Sequence, residues 1–303
     1  MADFLCTYTA IIFIAYGKTD LTQLTCQQAL EEAKALGLDR LDAHLLLLHA
    51  LGKTEGDRAW LLAHDDEPLE QSTASTFHAL TLRRASGEPL AYIVGYKEFF
   101  GLTLKVDSRV LIPRPDTETL VEWALDILQA PTFSGCARIL DLGTGSGAVA
   151  LALAHSLGAA GRPPSVMALD ASADALAVAS DNAIKLKLDV QFALSDWFEK
   201  VSTRLHLIAS NPPYISSQDA HLAALQHEPL EALAAGHDGL DDIRNIIQNA
   251  PDYLEPGGWL LLEHGHDQSV AVRELLARRG FGQVQSRLDL AGIARCSGGQ
   301  WSG

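Results

Sequence analysis

The chain has 303 residues, 48% of them hydrophobic, enough to bury the core of one large domain or two smaller ones. Its 23 Lys and Arg stand against 38 Asp and Glu, a formal net charge of −15. That balance argues against gripping nucleic acid over a broad surface, which takes clustered cations. The four cysteines, Cys6, Cys26, Cys136 and Cys296, are far apart and form no CxxC pair. They suggest neither a disulfide framework nor a zinc site, and a reducing cytoplasm fits them best.

Residues 1–22 read as a loosely attached extension. Their apolar run, "FLCTYTAIIFIAY", falls short of the roughly 20 residues that span a bilayer. It also lacks the basic start and small-residue cleavage site of a signal peptide. No membrane association is expected.

Residues 23–86 carry helical patterns. "TCQQALEEAKALG" offers Thr25 and Gln28 as a capping box and Gly37 as a stop, and a second helix runs from Asp39 as cap to Gly52. A third lies around "RAWLLAH", and a fourth runs from near Pro68 to Gly87. Short helices with short loops predict a small bundle that contacts a partner, covers a site or serves as scaffold. None of His44, His49, His64 and His78 has ligand-like spacing. Residues 87–112, aromatic, β-branched and punctuated by Gly, predict a hairpin or two as a linker.

The third region, 113–303, opens with the helix "DTETLVEWALDILQ" and then alternates strand and helix. Strands are expected at "ARILDL", "SVMALD", "DVQFALSD", "LHLIAS" and "GWLLLEHG". After the helix "DQSVAVRELLARRG", the segment 281–297 adds two antiparallel strands. Continuous apolar strands alternating with amphipathic helices make an α/β fold with a mostly parallel, doubly wound sheet.

In such a sheet, ligands bind beyond the carboxyl ends of the strands. "DLGTGSG" places Gly143, Thr144, Gly145, Ser146 and Gly147 in a tight strand-to-helix turn. This is a nucleotide loop or merely a close connection, since the spacing is neither G-x-G-x-x-G nor a P-loop. Asp170 closes the next strand 23 residues after Gly147, placed to hold a ribose diol or to cap a helix. Trp197, beside Asp196, offers an aromatic face to adenine, although taken alone core packing is the better account of it. Counted together, the three favour an adenosine-bearing cofactor.

"NPPY" then follows "LHLIAS". Asn211 carries both an acceptor and a donor, while Pro212 and Pro213 have no N–H. The Asn211 side-chain oxygen and the Pro212 carbonyl can accept both hydrogens of a planar –NH₂, with Tyr214 against its flat face. No dedicated base is evident, and nothing supports a metal: Glu263 and His264 lie outside any HExxH helix. Arg114 and Glu118 either face the cofactor or pair within the linker.

The G-x-G-x-G turn with Asp141 two residues ahead resembles motif I of class I S-adenosylmethionine-dependent methyltransferases. From residue 23 to 295 the chain is similar to the HemK/PrmC-type release factor glutamine methyltransferases. The resemblance rests on "GEPLAYIVGYKEFFGL", "LIPRPDTETLVE", "RILDLGTGSGAVALALA", "SDWF", "SNPPYI", "HEPLEAL" and "GGWLLLEHG", with "LIPRPDTE" the most discriminating. It implies a helical bundle, a β-hairpin linker and a Rossmann-like catalytic domain with antiparallel end strands. It also implies methylation, on N5, of the glutamine in the Gly-Gly-Gln motif of class 1 peptide chain release factors, which modulates translation termination. By the same resemblance the cofactor, S-adenosylmethionine, sits on Gly143 to Gly147, Asp170, Trp197 and Asn211, and the acceptor glutamine on Asn211 to Tyr214. The alternatives are an exocyclic amine of a nucleic-acid base, or another protein glutamine such as one in a ribosomal protein.

Two departures stand out. His227 occupies a position expected to be aromatic, and the C-terminus reads "CSGGQWSG" in place of a short apolar strand. Its Gly298-Gly299-Gln300 repeats the tripeptide of the implied substrate. Chance explains one tripeptide well, and a self-methylated or autoinhibitory tail is the rival reading. With no coiled-coil pattern, a monomer is expected.

Overall fold

The computed structural model describes residues 24–130, 133 and 135–303. Residues 1–22, read as a loose extension, lie outside the described residues. The chain divides into two units, 1–94 and 95–303.

In the first unit, α1 (Cys26–Ala35) begins at the expected capping box. Thr25 Oγ1 accepts from the Gln28 N–H at 3.3 Å, and the Gln28 side chain accepts from the Thr25 N–H at 3.0 Å. Asp39 caps α2 (Arg40–Ala50) through the Asp42 N–H at 2.9 Å, and α3 spans Arg58–Ala63. The fourth helix, α4 (Gln71–Ala85), starts later than Pro68 because Pro68 bridges Thr25 and the Leu69 N–H donates to the Leu24 carbonyl. A further turn, α5 (Leu90–Val94), forms where the apolar run "LAYIV" suggests a strand. Leu46, Leu47, Phe77 and Ile93 share one buried cluster.

The second unit starts with a single hairpin, β1 (Tyr96–Phe99) and β2 (Leu102–Lys105). A 3₁₀ turn at Pro115–Thr117 leads into α6 (Glu118–Gln129). Then come β3 (Arg138–Leu142), α7 (Ala148–Ala159), β4 (Ser165–Asp170), α8 (Ala173–Leu186), β5 (Gln191–Leu194) and β6 (Leu205–Ser210). The chain ends with α9 (Asp241–Asn249), β7 (Leu254–Glu263), α10 (Ser269–Arg279), β8 (Gly282–Leu288) and β9 (Ala294–Gln300). The sheet order is β5-β4-β3-β6-β7-β9-β8. β3 through β7 are parallel, and β9, wedged between β7 and β8, is the strand that runs against its neighbours.

The two-sided burial of these strands is visible residue by residue. Ile139, Leu207 and Leu261 join a cluster with α6 and α7, while Leu140, Ile208 and Leu260 join one with α9 and α10. Strand order reverses between β3 and β6, so the crevice belongs at the carboxyl ends of those strands.

The Gly-Gly-Gln tripeptide is no tail. It completes β9, with Gly298 opposite Leu261, Gly299 opposite Leu260 and Gln300 opposite Trp259. A Cβ on Gly298 would stand 2.6 Å from the Leu260 carbonyl oxygen and 3.1 Å from Trp123 Cη2, and one on Gly299 would stand 2.8 Å from Phe281 Cβ. The bare backbone lets Trp123 and Phe281 press against the strand. Gln300 Nε2 donates to the Gly257 carbonyl at 2.9 Å. Glu263, at the end of β7 beside the crevice, pairs with Cys296, four residues before Gln300 and roughly 13 Å along the strand.

Gly298→Ala is therefore expected to cost about 1–3 kcal/mol through overpacking. Gln300→Ala should stay within about 0.5 kcal/mol of the parent. Urea denaturation of the two variants reads this, and equal midpoints would remove the packing role.

Candidate active site

A cavity of about 340 Å³ opens over the ends of β3, β4 and β6. It is lined by the glycine loop, Asp170, Trp197, Asn211 and Pro213, with Pro113 and Thr117 on one side and Pro229 on another. Pro212 is buried and Tyr214 half-buried, and neither belongs to that lining.

The glycine loop is shaped by Asp141. Its buried carboxylate accepts from Thr144 Oγ1 at 2.7 Å and from the Ala150 N–H at 3.1 Å, and burial lifts its pKa to about 6. The loop glycines have different reasons for being glycine. Gly143 and Gly145 hold φ of +70° and +54°, and a Cβ on either would meet nothing within 4 Å. Their faces are open to an occupant. Gly147 instead makes room for packing, since its Cβ would lie 2.9 Å from Leu151 Cδ1 and 3.3 Å from Ala179 Cβ.

Asp170 is tied to the same loop: its two oxygens accept from the Gly145 N–H at 2.8 Å and the Ser172 N–H at 2.9 Å. Burial raises its pKa, and each oxygen keeps a lone pair for a ligand hydroxyl. Trp197 holds φ of +44°, a left-handed backbone that bulky residues rarely adopt. Its carbonyl accepts from Ser195 Oγ at 3.0 Å, fixing the turn that presents the ring.

Asn182 is a site residue that pattern reading passes over. Buried in α8, it donates to the Ser146 carbonyl at 2.9 Å and the Lys105 carbonyl at 3.0 Å, and accepts from the Lys105 N–H at 2.7 Å. It clips the glycine loop to β2. A carboxamide inside an otherwise apolar helix face is the available signal.

Asn211 donates from Nδ2 to Thr117 Oγ1 at 3.3 Å, while its Oδ1 is out of water with no donor. The Pro212 carbonyl accepts no backbone N–H among the described residues. Tyr214 turns its hydroxyl inward, donating to Glu263 Oε1 at 3.1 Å. Glu263 Oε2 is likewise buried without a partner. Burial lifts the Glu263 pKa to about 7, against the opposing pull of the Thr117 and Tyr214 hydroxyls. Thr117 and Glu263 thus extend a site that sequence reading confines to "NPPY".

Arg114 and Glu118 pair elsewhere. Arg114 bridges to the buried Glu228 of the "HEPLEAL" segment, whose carboxylate also accepts from the Ile112 N–H at 3.2 Å. Glu118 accepts from the Phe100 N–H at 3.0 Å. His227, in the same segment, has a buried Nε2 without a partner. Among the described residues no group of three or more His, Cys, Asp or Glu could hold a metal, and no helix is long and apolar enough to cross a membrane.

Known proteins supply the comparison. Residues 24–95 match the PrmC N-terminal domain and residues 124–287 the methyltransferase small domain. The release factor glutamine methyltransferase of Bordetella pertussis is 48% identical over 267 residues, covering 87% of this chain and 95% of that one. Its namesake from Vibrio cholerae is 44% identical over 280 residues, covering 90% and 94%. Among solved structures, the T. thermophilus 16S rRNA N2 G1207 methyltransferase, in complex with AdoMet and guanosine, shares the fold. It is 20% identical with a TM-score of 0.51, over 68% of this chain and 49% of that one.

The Glu263 carboxyl gives a stability prediction. Its folded pKa of about 7 lies above the ordinary 4.5, so the folded state holds the proton more tightly. The associated stability is full below pH 4.5 and lost as pH rises through 7. The loss is on the order of 3 kcal/mol at pH 8. Glu263→Gln should accordingly be more stable than the parent at pH 8, with the gap closing toward pH 5. Denaturation midpoints across that range check it; a gap independent of pH would contradict it.

Proposed function

The chain belongs to the release factor glutamine methyltransferase family, and we propose that its cleft methylates N5 of the glutamine in the Gly-Gly-Gln motif of class 1 peptide chain release factors. S-adenosylmethionine supplies the electrophilic methyl group when bound. The residues present fit that cofactor: two loop glycines with open faces, a carboxylate at the next strand end and an indole on the cavity wall. The backbone of Gly143 to Gly147, with Thr144 and Ser146, would hold it, Asp170 taking the ribose hydroxyls and Trp197 the adenine.

The observation that carries the acceptor side is the unpaired Asn211 Oδ1. A buried acceptor without a donor costs about 1–3 kcal/mol, which an incoming N–H would repay. In this reading Asn211 Oδ1 accepts one hydrogen of the glutamine –NH₂ and the Pro212 carbonyl the other. Pro213 and the Tyr214 ring confine the amide plane, the ring held by its hydroxyl on Glu263. Fixing both N–H bonds aims the nitrogen and stabilises the charge it develops as it gains a methyl group. The surplus proton leaves afterwards. A monomer working in the cytoplasm on a protein partner is the setting that this reading expects.

Tritiated S-adenosylmethionine, offered with a purified release factor, its Gln→Ala variant, and RNA or DNA, provides the test. Label is expected on the unaltered release factor alone; label on nucleic acid would overturn the reading. Asn211→Ala should bind cofactor nearly normally and lose about a hundredfold or more in turnover. Undiminished turnover would remove Asn211 from its role.

A further inference from the structure

We propose that Glu263 is a positioning residue that, through Thr117, commits the NH₂ end of the Asn211 side chain to the protein and so keeps Oδ1 unspent for the substrate. This rests on the reading of Asn211 as the acceptor of the glutamine N–H.

A carboxamide has two ends that resemble each other in shape and are opposite in hydrogen bonding. Which end of Asn211 is left for the substrate depends on what its other end finds, and it finds one hydroxyl, Thr117 Oγ1, at 3.3 Å. A hydroxyl has a single proton. When that proton points at a carboxylate, the lone pairs remain for Asn211, whose NH₂ must face them. Glu263 is the carboxylate in place: fully buried at the end of β7, beside Thr117, and fixed by the Tyr214 hydroxyl at 3.1 Å. In this relay the Asn211 N–H donates to Thr117 Oγ1, the Thr117 proton is free to turn to the one Glu263 oxygen without a partner, Oε2, and the Tyr214 O–H donates to Oε1 from the far side.

Protonation reverses it. A neutral Glu263 can donate to Thr117, releasing the Thr117 proton toward Asn211. The carboxamide then turns its oxygen to Thr117 and spends the acceptor. Asp116, ahead of α6, raises the affinity of Glu263 for its proton, while Arg295 on β9 lowers it. Cys296 pairs with Glu263 across β7 and β9 and is itself held protonated by burial. His264, next in sequence, is kept neutral by burial. Arg295 ion-pairs with both Asp116 and Asp289, and the charge of Arg114, which bridges to Glu228, acts on Tyr214 from the loop before α6. With the Glu263 pKa raised to about 7, the reversal falls between about pH 6 and 8.

The test is steady-state methylation of a purified class 1 release factor between about pH 6 and 8.5, using the full chain and Glu263→Gln, Thr117→Val and Thr117→Ser. Thermal denaturation confirms that each variant is folded, with Glu263→Gln and Thr117→Ser sufficient on their own. The unaltered enzyme should gain about tenfold in kcat from pH 6 to 8, with KM for the release factor little changed. A carboxamide in place of the carboxylate can donate as well as accept and does not titrate. Glu263→Gln should therefore give a flat profile and about a tenfold lower kcat at pH 8. Thr117→Val should match it, and Thr117→Ser should recover most of the rate. A Glu263→Gln enzyme with the parental rate and pH profile would overturn the positioning role. Failure of the unaltered enzyme to label the release factor at any pH would instead overturn the functional reading on which it rests.

Discussion

The carboxylate of Asp141 stands at the end of a strand packed on both faces, where water cannot reach it and donors must be brought to it. The donors come from the next nine residues: the Thr144 hydroxyl and the Ala150 N–H. Bending the chain back far enough to deliver them produces the glycine turn and sets the first residues of α7. Asp170 then fastens Gly145 from one side and Asn182 fastens Ser146 from the other. The binding wall is what remains of a loop folded around one buried charge.

Much of this is legible in the sequence because strand ends are legible. β4 and β6 have the bounds that the pattern predicts, as continuous apolar runs cut off by a charge or by Asn-Pro-Pro. Asp170 and Asn211 stand out because each marks the end of such a run, and Trp197 because it puts an aromatic ring beside Asp196 just past β5. The partners that organise them cannot be found the same way. Asn182 meets Lys105 across 77 positions, Asn211 meets Thr117 across 94, and Tyr214 meets Glu263 across 49. No local pattern encodes those distances. The last strand escapes the pattern beyond residue 297 for a different reason. "SGGQ" has no apolar face, and its fitness for β9 lies in what it lacks, the space claimed by Trp123 and Phe281.

The same region holds several of the fold's unfavourable features. Asn211 Oδ1 and Glu263 Oε2 are buried without partners, and Trp197 holds a left-handed backbone. A chain selected for stability alone would have replaced them, as the packed faces of the sheet show it can do elsewhere. Their persistence at one end of β5, β6 and β7 marks where stability has been exchanged for pre-set geometry.

The tripeptide in β9 bears on how a three-residue target can be specific at all. Gly-Gly-Gln is too short to be rare among proteins, and this chain carries a copy of it. That copy is withheld by conformation: its backbone is committed to two neighbouring strands and its glutamine amide to Gly257. Under the proposed function, what separates substrate from bystander is presentation of the glutamine on a free loop that can enter a narrow cleft. The enzyme is the first protein its own active site has to refuse, and the hydrogen bonding of β9 to its neighbours is the means of refusal.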